Sequence, residues 1–524
     1  MTDKPTDPRF TDVTNGERFV NQHGDLVRYV AEDKSWVAWD ETRWKPDTLG
    51  ESMELAKATA ITIYDEAKAG ESFGSVCSHQ EAAEWATTSL GAGKLAAMLK
   101  MASTDRRVAI SAEVLDRDVY LLNCANGTVD LRDCTLRDAE QADLITKSTG
   151  VVFDADAICP RWDAFLLWAM ADRHELVDYL WRIIGMSLSG DVSERLVLFL
   201  HGTGKNGKDV TLKVMQGIFG DYAQRMESKT LEAASYAKGG GGPSDDIASL
   251  KGARLVYTSE IEDGTKLATA LLKDMTGDQK LRARHLYKSS FMFMPEFTPF
   301  IAANHKPTVP SDDQAVWDRL RLVPYDARVT EEMRNKHLAE QLLAAEAPGI
   351  LARAVRECVA WQREGIVTPD VVMEATADYR DEMNTFVDFL ASITDSTSAV
   401  DTSPSALREH YNRWSKYGGT VDGDPMTQRE FRRHMDASGW VQRPTDKGRR
   451  WTAPKTKTQR TNYAELARLA ERHVPTPVEL AAYEAEVRAI VDDEEAEARA
   501  CGFESAEAMW VAEAQRRADS DEVA

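Results

Sequence analysis

Three glycines, two lysines and an aspartate crowded into residues 202–209 carry the first chemical signal in this chain. The run Gly202, Thr203, Gly204, Lys205, Asn206, Gly207, Lys208 fits G-x-x-x-x-G-K, and Asp209 follows it. A short apolar stretch, RLVLFL, precedes the run, and a predicted helix, DVTLKVMQGIF, continues it. In that setting glycines let backbone N–H groups curl around a triphosphate, the helix N-terminus adds its positive end, and the lysine reaches the outer oxygens. Residues 202–209 are therefore expected to bind nucleotide phosphates, with Lys208 as the charged contact.

The residue after such a lysine is ordinarily Ser or Thr, whose hydroxyl ligates Mg2+. Here it is Asp209. A second apolar stretch, ARLVYT, ends at Ser259-Glu260 where an Asp-Glu pair would be usual. An exchange of roles accounts for both departures: Asp209 supplies the metal carboxylate, Ser259 the hydroxyl, and Glu260 orients the attacking water. Metal candidates are thus Asp209, Ser259 and Glu260, with Glu262 a further acid in the same turn. The opposing account is that Asp209 marks weakened or lost hydrolysis. A third apolar stretch, FTPFIAA, ends at Asn304. Buried parallel strands that each deliver a polar residue at the carboxyl end describe a nucleotide-binding α/β core.

Two clusters of cations come next. Lys280, Arg282, Arg284 and Lys288 recur at even spacing in KLRARHLYK, which puts them on one face of a strand or hairpin. Such a face suits a nucleic-acid backbone contact blind to base sequence, although a solvated strand would look alike. Nearer the carboxyl end, residues 404–451 read helix, helix, hairpin. Arg429, Arg432 and Arg433 lie on the second helix, Phe431 and Met435 on its core face, and Arg449 and Arg450 on the hairpin that ends at Trp451. This is a winged-helix pattern, aimed at duplex or forked DNA or at a protein. His285 and His305 are isolated and read as structural.

These groups need a frame. Residues 14–45 read as short strands, a small β unit with Trp36, Trp39 and Trp44 in its core; residues 50–112 read as helical. Asn126-Gly127 signals a hairpin, and two helices are expected after Pro160. The glycine run 239–242 is a loop without assigned chemistry. With 524 residues, the chain divides into expected segments 1–112 (accessory), 113–190 (helical), 191–330 (ATPase core), 331–385 (connector), 386–456 (winged helix) and 457–524 (tail).

The net charge of −22 argues against nucleic acid only until it is located. Residues 475–524 hold 14 acids against 4 bases, whereas residues 404–460 hold 13 bases against 6 acids. Screening confines each field to about 8 Å, so the basic module keeps its own attraction for phosphate. The acidic tail reads as a solvated amphipathic helix or, alternatively, a DNA mimic or partner segment. Six cysteines without C-x-x-C or zinc spacing, no signal peptide and no apolar run near membrane-spanning length imply a cytoplasmic protein without membrane association.

The order LFLHGTGKNGKD, LKGARLVYTSEIEDG, LLKDMTGDQKLRARHLYKSSFMFMPEF, FIAANHKPTVP and VWDRLRLVPYD resembles superfamily 3 helicases of the phage and plasmid primase–helicase type, relatives of poxvirus primase–helicases. The resemblance extends over residues 118–451. It implies an AAA+-like P-loop ATPase core, a parallel sheet flanked by helices, with an α-rich N-terminal region and a C-terminal winged helix. It implies ATP and Mg2+ as cofactors, Lys208 as the Walker A lysine, Glu260 as the Walker B acid and Asn304 as sensor 1. Arg319 and Arg321 fall in the arginine-finger region; Asp318-Arg319 stands where the family often has Arg-Arg, so either arginine could be the finger. A finger in trans implies a homo-hexamer. The expected activity is that of a ring-forming replicative DNA helicase of a phage or mobile element, translocating on single-stranded DNA in a bacterial host cytoplasm. No upstream D-x-D motif or zinc cluster is evident, so priming is expected from a separate primase or polymerase. Two other functions fit the same motifs: a hydrolysis-deficient initiation ring that binds ATP and DNA, and a packaging or defence translocase.

Overall fold

A computed structural model describes residues 10–69, 79–233, 245–262, 264–277, 279–284, 290–310, 313–330, 332–383, 386, 389–390, 403–417, 426–437, 440–445 and 448–452. The chain divides into two compact units, Met1–Met383 and Asn384–Ala524.

The first unit begins with a helix, Asp12–His23, where short strands are expected from the sequence. The Thr11 hydroxyl accepts from the Thr14 amide at 3.2 Å and caps it. Asn15, Gly16, Phe19 and Val20 then fall on one buried face at helical spacing. Gly16 is required there: a Cβ would lie 2.7 Å from Met101 Cβ on the crossing helix Ala92–Ala102. Strand structure starts only at β1 (Val27–Val30), followed by β2 (Ser35–Trp39) and β3 (Trp44–Pro46). These form an antiparallel meander, and β4 (Ala109–Ile110) joins β1 in parallel to give the order β3-β2-β1-β4. Trp44 is fully buried, and Trp36 packs edge-on against Phe19, so the tryptophans do build the core of this unit.

A second small sheet contains β5 (Leu121–Cys124), β6 (Gly127–Asp130) and β7 (Thr135–Arg137). Its first turn is Ala125-Asn126, one residue earlier than Asn126-Gly127, because Cys124 pairs with Gly127. Gly127 has φ 140°, and a side chain there would run into the Arg137 carbonyl. The two expected helices follow as Pro160–Ala169 and His174–Leu188.

The central sheet holds β8 (Val197–His201), β9 (Ala223–Arg225), β10 (Leu255–Ser259), β13 (Thr298–Ala303) and β14 (Leu320–Pro324), all parallel, in the order β14-β8-β13-β10-β9. β8, β10 and β13 are the three apolar strands legible in the sequence. The two edge strands are not: β9 is only AQR, and β14, LRLVP, has an arginine at its second position. Helices Lys208–Phe219, Leu338–Glu364 and His174–Leu188 share a core with the sheet. Tyr379 of helix Asp370–Glu382 belongs to a second apolar cluster with Val197, Phe199 and Ile301. The fold is thus α/β, a parallel sheet flanked by helices. A hairpin outside this sheet pairs β11 (Leu281–Ala283) with β12 (Phe291–Phe293).

The second unit contains helices Pro404–Tyr417 and Gln428–Ala437 and the hairpin β15 (Val441–Thr445) and β16 (Gly448–Thr452). Phe431 and Met435 are buried in a core with Phe386, Phe389, Tyr411 and Trp451, as their spacing indicates. No helix among the described residues is long and apolar enough to cross a membrane. The glycine run 239–242, His285 and the acidic tail lie outside the described residues.

Candidate nucleotide-phosphate site

Strand register assembles the site. Ala303 of β13 pairs with His201 of β8, and Ala302 pairs with Ser259 of β10. The carboxyl ends of three neighbouring strands are therefore level, and the segments leaving them meet: the glycine turn, Glu260 and Asn304. Because β13 lies between β8 and β10, Asn304 stands between the other two. This is the edge where open α/β sheets bind ligands.

The turn is shaped by its glycines and by Asn206. Gly204 and Gly207 have φ 96° and 93°, in the left-handed region where a side chain is strained. A Cβ on Gly202 would collide with Asn206 Nδ2 and the Tyr325 carbonyl. Asn206 Nδ2 donates to the Tyr325 carbonyl at 3.0 Å, which moors the turn to the end of β14. Lys208 is the first residue of the following helix and only 4% exposed. Its ammonium donates to the Gly202 carbonyl at 2.6 Å, to Asn206 Oδ1 at 3.0 Å and to Asn304 Oδ1 at 3.1 Å. Burial lowers the pKa of Lys208 from the ordinary lysine value, with Asp209 opposing. A cation held by neutral oxygens in a half-dry turn gains much from an incoming phosphate.

A cavity of about 650 Å3 opens over this turn, and Lys208, Asp209, Glu260 and Asn304 all line it. Asp209 and Glu260 are exposed; Ser259 is half-buried at the end of β10 and is not part of the lining. Glu260 has φ 65°, a left-handed conformation that costs a non-glycine residue about 1 kcal/mol or more. That strain turns the chain sharply at the end of β10. Two carboxylates in one cavity suit Mg2+, which usually takes one or two carboxylates and completes its shell with phosphate oxygens and water. Asp209 and Glu260 fit that donor set.

Arg319 and Arg321 lie elsewhere. Arg321 pairs with Leu198, so both sit toward the amino end of β14, away from the glycine turn, and neither lines the cavity. Arg319 donates to the Ala315 carbonyl, while its buried Nε has no hydrogen-bond partner among the described residues. Arg321 Nη1 donates to the Asp318 and Leu320 carbonyls, each at 2.9 Å.

Of the cation stripe, Lys280, Arg282 and Arg284 are exposed and alternate with buried Leu281 and Ala283, as period-two spacing requires; Lys288 lies outside the described residues. In the second unit Arg429 and Arg432 are exposed on one helix, with Arg432 facing Asp436 at 3.6 Å. The side chains of Arg433, Arg449 and Arg450 lie outside the described residues.

Three contributors to the site have no motif of their own in the sequence. Phe165 and Trp168 line the cavity from helix Pro160–Ala169. Their spacing is visibly helical, but nothing local says which face meets the glycine turn. The third, Glu346, fixes that helix from a distance: its buried carboxylate accepts from the Arg161 amide at 3.0 Å and the Trp162 amide at 2.8 Å. Glu346→Ala leaves these two N–H groups, that of Trp162 buried, without their acceptor and is expected to cost about 2 kcal/mol. Thermal melting read against the unchanged chain checks this, with a fall of several degrees expected.

A parallel α/β sheet with a lysine-bearing glycine turn at its carboxyl edge is the class that fold and site define. Residues 16–170 match the family described as D5 N terminal like, and residues 200–319 match a family of unknown function, DUF5906. The chain is 25% identical over 341 residues to the putative helicase L207/L206 of Acanthamoeba polyphaga mimivirus, covering 61% of this chain and 35% of that protein. It is 30% identical over 251 residues to the putative helicase 022R of Frog virus 3 (isolate Goorha), covering 44% and 26%. The A form apo structure of the NrS-1 C-terminal region aligns with TM-score 0.45 and 9% identity over 85% of this chain and 100% of that one. Over those segments the chain is similar to D5-type proteins and to viral proteins named as putative helicases. It spans only 26–35% of the length of those two viral relatives.

Proposed function

We propose that this chain is an ATP-dependent, ring-forming replicative DNA helicase of a phage or mobile element, with an AAA+-like P-loop core and a C-terminal winged helix. The observation that carries the reading is the meeting of Lys208, Asn304 and Glu260 around one cavity at the carboxyl edge of the parallel sheet. In this reading the turn amides and Lys208 grip the triphosphate of ATP. Asp209, with Glu260 beside it, would hold Mg2+, which would supply charge neutralisation on the phosphates. Glu260 accepts a proton from the attacking water, and Asn304 holds that water or the γ-phosphate in line.

Ring formation is supported by the position of two arginines. A transition state with charge spread over the transferred phosphoryl oxygens calls for a guanidinium. Arg319 and Arg321, the candidates from the sequence, stand away from their own cavity on an edge strand. Supply from a neighbouring protomer reconciles their position with that role and requires an oligomer, a hexamer by resemblance.

Single-stranded DNA is the proposed track for Lys280, Arg282 and Arg284, and forked duplex for Arg429 and Arg432. Replacing Lys280, Arg282 and Arg284 together by Ala is expected to reduce the salt slope of single-strand binding by about 2, at roughly 0.7 for each phosphate no longer neutralised. Fluorescence anisotropy across a salt series reads this, and ATP turnover without DNA serves as the folding control. The second reading, a ring that binds ATP without hydrolysing it, is favoured by Asp209 at the position of the usual hydroxyl residue. DNA-stimulated ATP hydrolysis, measured beside Lys208→Ala, decides between them. Turnover and fork opening above that variant support the helicase; turnover no higher than the variant supports the binding ring.

A further inference from the structure

The cavity has a side that phosphates and metal do not use. Beyond the glycine turn its wall includes Phe165, Trp168, Val210 and Leu338, from three different helices, with Arg161 and Ala164 on the helix of the two aromatics. Phe165 is nearly buried, with its ring centroid 6.0 Å from that of Trp168 and 5.2 Å from that of Trp162. Trp168 is half-buried and lines the cavity. The two aromatics abut the turn itself: a Cβ on Gly207 would lie 3.0 Å from Phe165 Cζ and 3.3 Å from Trp168 Cζ3. An apolar surface offers nothing to a triphosphate. It does offer a stacking partner to the flat, weakly polar group at the other end of the same ligand.

We infer that the nucleobase of the bound triphosphate packs on the Phe165–Trp168 wall, with Trp168 as its main contact. The inference rests on the nucleotide reading of the glycine turn and adds the second half of the ligand to it. The volume agrees, since about 650 Å3 lies within the range of pockets that enclose molecules larger than a polyphosphate. The wall is also held firmly. Glu346 satisfies the first amides of the helix that carries it, and Asp163 of that helix accepts from Trp181 Nε1 at 3.1 Å and Arg353 Nη1 at 2.6 Å. The two aromatics of the wall belong to the segment matched over residues 16–170, and the phosphate turn to the segment matched over residues 200–319. The site is composite, so each segment holds one end of the nucleotide.

Isothermal titration of the full chain with ATP and with inorganic tripolyphosphate, both with Mg2+, tests this. The unchanged chain is expected to bind ATP about 10-fold more tightly than tripolyphosphate, the gain expected from one stacked base. Trp168→Ala is expected to remove that difference by weakening ATP while leaving tripolyphosphate unchanged, and Trp168→Phe to restore most of it. Equal affinity for the two ligands in the unchanged chain overturns the inference without any variant. An equal loss for both ligands in Trp168→Ala also overturns it, since the ring would then merely support the turn. If the unchanged chain binds neither ligand, the nucleotide reading of the turn falls first.

Discussion

Lys208→Ala is expected to abolish measurable ATP turnover, by a factor of about 10^2–10^3 or more, and to weaken ATP binding as well. The reason lies in the environment of the ammonium. It sits 4% exposed among neutral oxygens, with burial already pulling its pKa down. A phosphate restores to it a full negative partner in a place where water screens poorly, so the charge-assisted contact is strong. Alanine removes the contact and leaves the Gly202 carbonyl, Asn206 Oδ1 and Asn304 Oδ1 without their shared donor. It also removes the cost of a buried charge. The two opposing terms predict a fold that survives, and a melting curve within a few degrees of the unchanged chain is the control. Retained turnover in a folded Lys208→Ala protein would remove the basis of the nucleotide reading.

Glu260→Gln separates binding from chemistry. The substitution keeps the shape of the side chain and the left-handed turn at the end of β10, but removes the carboxylate that accepts a proton from water. A positioned general base contributes about 10^2–10^4-fold, and a loss of that size in kcat is expected. ATP affinity is expected to change far less than in Lys208→Ala, because the phosphate contacts of the turn remain. Single-turnover hydrolysis beside direct ATP titration reads the two effects apart. The same loss in Glu262→Gln with no loss in Glu260→Gln would transfer the role to the neighbouring acid. The structure favours Glu260, which lines the cavity where Glu262 does not.

Much of this site is legible in residue order alone. G-x-x-x-x-G-K is a local motif: its glycines, lysine and helix start are contiguous, so sequence spacing dictates geometry. The buried strands β8, β10 and β13 are equally plain, because strands covered on both faces read as unbroken apolar runs. The cation alternation at 280–284 survives for the same local reason, the period of two along a strand. Residues 14–23, expected as strand, are helical because two periodicities compete in a short window. The Thr11 cap and a packing partner at Met101, far along the chain, decide for helix.

Residue order by itself therefore determines the short-range chemistry of this protein: a lysine-bearing glycine turn, an acid and an amide at strand ends, and cations on a strand face. Tertiary structure alone decides which of these meet. Inserting β13 between β8 and β10 brings Asn304 to Lys208, and the parallel register of β14 carries Arg319 and Arg321 away from that cavity. Packing of helix Pro160–Ala169 against Gly207, secured by Glu346, sets an aromatic wall beside the turn. The physical reason is range. Turns and periodicities are governed by neighbours a few residues away, whereas strand order and helix docking depend on burial shared between segments far apart in the chain.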